Sequence, residues 1–212
     1  LDRSDGGSAR KKCGITTVNS LTVCWVNETD RDSPLSGGDM EELQSICGAP
    51  AYRGCDMLLS SSWPKNTHNF LNDKELDEMK TLNIALGAGS ENVTKIAITC
   101  KPRYHFCGGD SARPSFYQRT PYINPGGIHP TNAQAPATRL ISLACSPLSK
   151  SNAATSKDKS KKWMHALGLE PIVYLKADDL LGIPLGSRCT DCPYVENSIA
   201  NKRPLSVDDS GI

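Results

Sequence analysis

Nine cysteines in a chain of 212 residues constrain the fold of this sequence more than any other feature. Cytosolic domains of this size seldom carry so many thiols, whereas secreted domains use disulfides to reinforce a thin core. The cysteines are scattered rather than grouped in close pairs, so disulfides suit their spacing better than a zinc site does. Four disulfides and one leftover thiol are expected, with candidates Cys13, Cys24, Cys47, Cys55, Cys100, Cys107, Cys145, Cys189 and Cys192.

Charge and hydropathy agree with a secreted protein. The 24 basic and 23 acidic residues give a net charge of +1, so no long-range field favours binding to nucleic acid. No apolar run approaches the roughly 20 residues of a membrane span, so no membrane insertion is expected. The glycosylation triplets at Asn27 and Asn92 fit a secretory route. We therefore predict an extracellular monomer from which the signal peptide has been removed.

Composition divides the chain into four predicted regions. Residues 1–12 are polar and predicted to form a disordered tail. A cysteine-rich α/β domain follows at 13–109, and a stretch rich in proline and glycine at 110–137 connects it to a β-rich domain at 138–212. The expected fold class is α+β to mainly β, stabilised by disulfides.

Local patterns predict the individual elements. Alternation and β-branched residues favour strands at 14–26, 93–100, 140–145 and 171–175. Apolar residues at helical spacing predict one helix at 39–47 and a second that begins after Asn72.

No convergent catalytic set, cofactor motif or metal motif is present, so we predict a non-enzyme without a cofactor or a metal. Two segments leave an extracellular hydrolase or thiol-redox enzyme as the alternative. Cys189 and Cys192 have the two-residue spacing of a redox dithiol. His129 follows a Gly-Gly pair that could expose backbone amides.

Loops are the predicted binding surface, because the periodic apolar segments are expected to form the core. Exposed aromatics on loops give a large contact area at low entropy cost, which favours Tyr117 and Tyr122. A lysine-rich run could contact an acidic partner. Its candidates are Lys157, Lys159, Lys161 and Lys162.

The dibasic pair Lys11-Lys12, the six cysteines that precede the proline-rich divide and the β-rich second half together resemble fungal secreted effectors. The layout is similar to that of the Fusarium "secreted in xylem" proteins with the dual-domain effector fold. That resemblance implies a mixed N-terminal domain, a C-terminal β-sandwich and maturation from a pro-form. It also implies a virulence role in which the protein binds a plant host protein, or is recognised by an immune receptor of the host.

Overall fold

The computed structural model describes residues 11–28, 35, 37–108, 115–125, 135–146, 159–176, 179–180 and 187–195. They form a mixed α/β fold with one seven-stranded sheet. None of the described helices combines the length and the apolar character needed to cross a membrane. The predicted tail lies outside the described residues except for Lys11 and Lys12.

The sheet begins with a hairpin of β1 (Cys13–Val18) and β2 (Leu21–Val26). Asn19 and Ser20 form its two-residue turn and both have positive φ, as in the turns that match the twist of paired strands. The strands predicted at 14–26 are therefore confirmed.

Parallel strands make up the centre of the sheet. β2 is followed by β3 (Cys55–Ser60), β4 (Pro102–Cys107) and β7 (Ala137–Ser142), and each of these pairs parallel to its neighbour. Two short strands, β5 (Tyr117–Gln118) and β6 (Tyr122–Ile123), pair antiparallel with β7 at the edge. Parallel pairing needs crossover connections, and three helices lie between the strands in sequence.

The helices are α1 (Gly37–Cys47), α2 (Asp73–Thr81) and α3 (Glu91–Cys100). The first two confirm the helices predicted from apolar spacing. Asn72 caps α2 through a reciprocal capping box with Glu75, which satisfies two backbone N–H groups at the helix start.

The strand predicted at 93–100 is wrong, because this segment forms α3. Its buried residues are Val93, Ile96, Ala97 and Cys100, which recur at helical spacing and pack against the sheet. The Ser90 side chain accepts a hydrogen bond from the Val93 amide and caps the helix. Over these eight positions, the apolar residues fit both the two-residue period of a strand and the 3.6-residue period of a helix. The Ser90 cap decides in favour of the helix.

The predicted C-terminal β-sandwich is not found in the described residues. Strand β7, expected to open a separate domain, lies beside β4 in the common sheet. The segment Ile172–Tyr174, predicted as a strand, is a 3-10 helix. The mixture of helices and strands is thus confirmed, whereas a second β-layer is absent from the part of the chain that the structure describes.

All nine cysteines are unpaired, which corrects the prediction of a disulfide-stabilised fold. Six of them are buried and belong to the apolar core clusters: Cys13, Cys24, Cys55, Cys100, Cys107 and Cys192. A free cysteine packs as a small apolar side chain, so a high cysteine count can serve core packing instead of cross-linking.

A buried carboxylate joins three parts of the fold at the start of the parallel strands. Asp56 accepts hydrogen bonds from the backbone N–H groups of Thr22 on β2 at 2.8 Å and of Ile172 at 2.7 Å. Its Oδ1 also lies 3.1 Å from the Arg103 guanidinium on β4. Since Asp56 is inaccessible to solvent, the three donors together compensate for its desolvation.

His105 is the buried imidazole of β4. The Ser60 hydroxyl donates to the carbonyl of Ser62 at 2.7 Å, so it accepts from His105 Nε2 at 2.8 Å. Nδ1 has no partner among the described residues. Burial lowers the pKa of His105 to about 3, so the ring is neutral at physiological pH.

Removing the Asp56 carboxylate should strongly destabilise the fold. We expect Asp56→Ala to lower the free energy of unfolding by about 3–5 kcal/mol, because Arg103 is left without its buried partner. Asp56→Asn keeps one acceptor oxygen and should cost less. Asp77→Ala, which removes an exposed partner of Lys80, is the control and should cost less than about 1 kcal/mol. Urea unfolding measures all three, and equal losses for Asp56→Ala and Asp77→Ala would contradict the assignment.

The thiols should all be available once the chain is unfolded. Alkylation in denaturant without reductant should add nine adducts to the intact mass, because no two sulfurs lie at bonding distance. A single adduct would instead indicate four disulfides and would contradict the structure.

His105 should make stability depend on pH. A histidine with a lowered folded-state pKa stabilises the fold fully above about pH 6.5, and this contribution is lost as the pH falls toward 3. Between pH 7 and pH 5, the free energy of unfolding should fall by about 2 kcal/mol more for the wild type than for His105→Gln. Parallel pH dependences for the two proteins, measured by urea unfolding, would refute the buried neutral state.

Candidate binding surface

The two faces of the sheet differ in how they are covered. The residues Cys24, Leu58, His105 and Leu140 form a buried row across β2, β3, β4 and β7. Side chains one position later point to the other side. We call this other side the open face, and it comprises Val23, Trp25, Met57, Leu59, Tyr104, Phe106, Arg139 and Ile141. Leu59 is exposed, Ile141 is buried, and the others are half-buried.

Trp25 owes its position to a glycine on the neighbouring strand. Gly14 pairs with Trp25 across the hairpin, and a Cβ built on Gly14 would lie 3.1 Å from the indole ring. The indole therefore packs directly over the Gly14 backbone and presents its other side outward. A larger residue at position 14 would displace the ring.

Aromatic rings and cations follow one another along the centre of the open face. Tyr104 and Phe106 alternate on β4 with ring centroids 6.4 Å apart. The Arg139 guanidinium lies 5.3 Å from the centre of the Tyr104 ring, and the His165 ring lies 6.2 Å from that of Phe106. These contacts stabilise large side chains on a face that no helix of the described chain covers.

Residues 162–175, which include the 3-10 helix Ile172–Tyr174, run from the carboxyl end of β7 past the open face to the amino end of β3, and we call this segment the strap. It starts at the carboxyl end of β7, where the Ala144 amide donates to the Lys162 carbonyl at 3.0 Å. Near the amino ends of the strands, Arg103 donates to the Glu170 carbonyl at 2.5 Å. Ile172 donates its amide to Asp56 there. Asp56 and Arg103 lie two residues before Leu58 and His105, so their side chains point to the side of the buried row. The strap therefore passes the open face beside Phe106 and bends round the amino ends of the strands. It leaves one corner of the open face uncovered.

That corner is a groove of about 520 Å³ at the carboxyl ends of the parallel strands. Its walls include Trp25, Leu59, Phe106 and Trp163. Leu59 and Trp163 are 41% and 42% exposed, and the thiol-bearing residue Cys145 is an exposed member of the lining. Among the described residues, no charged side chain lines the groove. These described side chains can bind an apolar or aromatic group.

Tyr117 and Tyr122, predicted to form an exposed contact surface, are buried. They belong to β5 and β6, which pair with β7. Tyr117 stacks on Trp63 at 5.8 Å, and Tyr122 meets Tyr194 edge-on at 5.3 Å. The prolines between these tyrosines and β7 predicted a loop, but edge strands tolerate neighbouring prolines.

The predicted lysine surface is described in part. Lys159, Lys161 and Lys162 are exposed, and Lys157 lies outside the described residues. The Lys162 ammonium lies 4.7 Å above the Phe116 ring, which holds this lysine at the start of the strap. These residues flank the groove without lining it.

The segments of the alternative enzyme hypothesis gain no support. Burial raises the pKa values of both Cys189 and Cys192, the opposite of what a reactive thiol needs. His129 lies outside the described residues. Throughout the described ranges, no three His, Cys, Asp or Glu side chains are arranged to hold a metal ion.

The residues of the groove were missed by the sequence analysis. Strand β3 has Met57, Leu58 and Leu59 in succession, so both of its sides are apolar. Such runs are typical of parallel strands that are buried on both faces. That signal marks β3 as a central strand and its outward residues as a surface that needs a cover.

Comparison with known proteins places the chain near a group of eukaryotic proteins. It is 32% identical over 190 residues to CWF19-like protein 1 of Homo sapiens, an alignment that covers 85% of this chain and 31% of the relative. It is 28% identical over 191 residues to CWF19-like protein 1 of Mus musculus, with 87% and 32% covered. Identity to zinc finger CCCH domain-containing protein 64 of Arabidopsis thaliana is 27% over 203 residues, with 92% and 30% covered. No family model matches the chain.

These similarities overturn the effector hypothesis. The relatives are named CWF19-like proteins and not Fusarium secreted-in-xylem proteins, so the predicted family, virulence function and extracellular location are wrong. The same holds for the predicted avirulence role, plant immune recognition, signal-peptide removal and glycosylation. Asn27 is an exposed residue after β2, and Asn92 lies half-buried on α3. The resemblance depended on cysteine layout, which loses its meaning where the sulfurs are unpaired. The chain is similar to CWF19-like proteins and spans about a third of their length.

Proposed function

We propose that this chain is a non-enzymatic α/β unit of the CWF19-like kind that works inside the cell by binding polypeptide on its open face. The groove beside Trp25, Leu59 and Trp163 carries the proposal, because exposed large apolar residues that line a concavity are typical of interaction sites.

The placement of the described histidines supports a non-enzyme. His105 is buried and neutral, and its only hydrogen bond is donated to a serine hydroxyl that itself donates elsewhere. That direction is the reverse of what a histidine base needs in order to activate serine. His68 Nδ1 accepts the Gly87 amide at 3.2 Å, and His165 lies among aromatic rings. None of the three lines the groove.

The lining of the groove favours polypeptide over nucleic acid. Phosphates contribute most of the affinity of nucleic-acid complexes through Lys and Arg, and none of the described residues that line the groove is Lys or Arg. Apolar and aromatic side chains there suit apolar residues of a protein partner.

Two observations support an intracellular location. The relatives are CWF19-like proteins, and the nine cysteines of this chain are unpaired. Unpaired thiols are the rule in the reducing cytosol and nucleus.

The proposal can be tested with a chimaera in which this chain replaces the aligned region of human CWF19-like protein 1. Proteins that co-purify with the natural human protein define the reference set. Leu59→Lys in the chimaera should reduce recovery of part of this set by about tenfold, because a charge is placed in the contact. Leu86→Lys is the matched control, since Leu86 is also 41% exposed but lies outside the groove.

Two results would contradict the proposal. One is unchanged recovery with Leu59→Lys. The other is loss of the reference set with His68→Ala or His165→Ala while the Leu59→Lys chimaera retains it, which would favour catalysis. Both leucine variants of the isolated chain should unfold within about 0.5 kcal/mol of the wild type, which excludes misfolding as the cause.

A further inference from the structure

We infer that the open face is covered by an apolar layer of polypeptide that belongs to the same CWF19-like protein. This layer comes from outside the third of the protein that this chain matches. The inference rests on the proposed function and names its partner. The cover is permanent and part of the same polypeptide, not a separate protein that binds and dissociates.

The direction of the strands is the first argument. The sheet is mixed, but its four central strands β2, β3, β4 and β7 are mutually parallel, and parallel strands with apolar residues in succession, as in β3, are typically buried on both faces. One face of this sheet packs against α1 and α3. On the other face, the described chain supplies only the strap. The described chain therefore forms two layers, the helices and the sheet. Its central parallel strands are typical of folds with a third layer on the other face of the sheet.

The remaining exposure is the second argument. Leu59 lies on a central strand, a position that is normally buried, yet 41% of its surface is accessible. Trp163 and Met164 on the strap are 42% and 63% exposed. Together with Trp25 and Phe106, Leu59 and Trp163 form a contiguous apolar area that lines the groove. A contiguous area of this kind is costly to leave in water and typical of a surface that is buried in the intact protein.

The source of the cover follows from length and charge. The relatives have about two thirds of their residues outside the region matched by this chain, which is ample for an additional layer. A covering segment in the same polypeptide avoids the translational entropy cost of association. The lining by described residues is uncharged and suits an apolar layer packed as in a domain interior, whereas a transient partner surface is more polar.

Cys145 provides a native probe, because it is exposed in the groove lining. Its alkylation rate would be compared in the isolated chain and in the purified chimaera with human CWF19-like protein 1. We expect Cys145 to react about tenfold or more slowly in the chimaera, since a thiol under a packed layer is shielded from reagent. Cys47, half-buried at the end of α1 on the helix side of the sheet, is the internal control and should react at equal rates.

Leu59→Lys in the chimaera should restore rapid labelling of Cys145, whereas Leu86→Lys should not. Equal Cys145 rates in the isolated chain and the chimaera would overturn the inference while leaving the proposed function to its own co-purification test. Slow labelling in the isolated chain at every concentration would show that this chain covers the groove itself. Slowing that grows with concentration of the isolated chain would show that a second copy does so, and either result would also overturn it.

Discussion

The buried Asp56 carboxylate is the interaction on which the arrangement of the molecule depends. It accepts hydrogen bonds from β2 and from the strap, and it pairs with Arg103 of β4. One side chain on β3 therefore fixes both neighbouring strands and the segment that passes the open face. A buried carboxylate is stable only with donors on all sides, so the position of the strap is tied to the integrity of the sheet.

The position of the strap in turn decides which surface is accessible. It is held at the carboxyl end of β7 through Lys162 and at the amino end of β3 through Ile172, so it passes the open face and bends round the amino ends of the strands. The corner that it leaves uncovered lies beside Trp25 and Leu59. The groove is consequently not an isolated pocket but the uncovered remainder of a sheet face. This explains why its described lining is apolar.

The cysteines show how one composition can serve two physical roles. In an oxidising compartment, nine cysteines would cross-link a thin core, and that expectation led to a secreted effector. In this fold, Cys13, Cys24 and Cys100 fill space between helices and sheet as unpaired thiols. A count cannot distinguish these roles, because cross-linking depends on which sulfurs approach to bonding distance.

Local sequence determined the hairpin with its turn at Asn19 and Ser20, the helix α1 and the helix capped by Asn72, because turn and capping preferences depend on neighbouring residues alone. It did not determine that 93–100 is a helix, since eight alternating residues fit both periods until the Ser90 cap is formed. Tertiary structure alone decided that β7 joins the first sheet, that Tyr117 and Tyr122 are buried, and that Leu59 is exposed. Those outcomes depend on contacts between residues far apart in the chain, and no local pattern encodes which strands become neighbours.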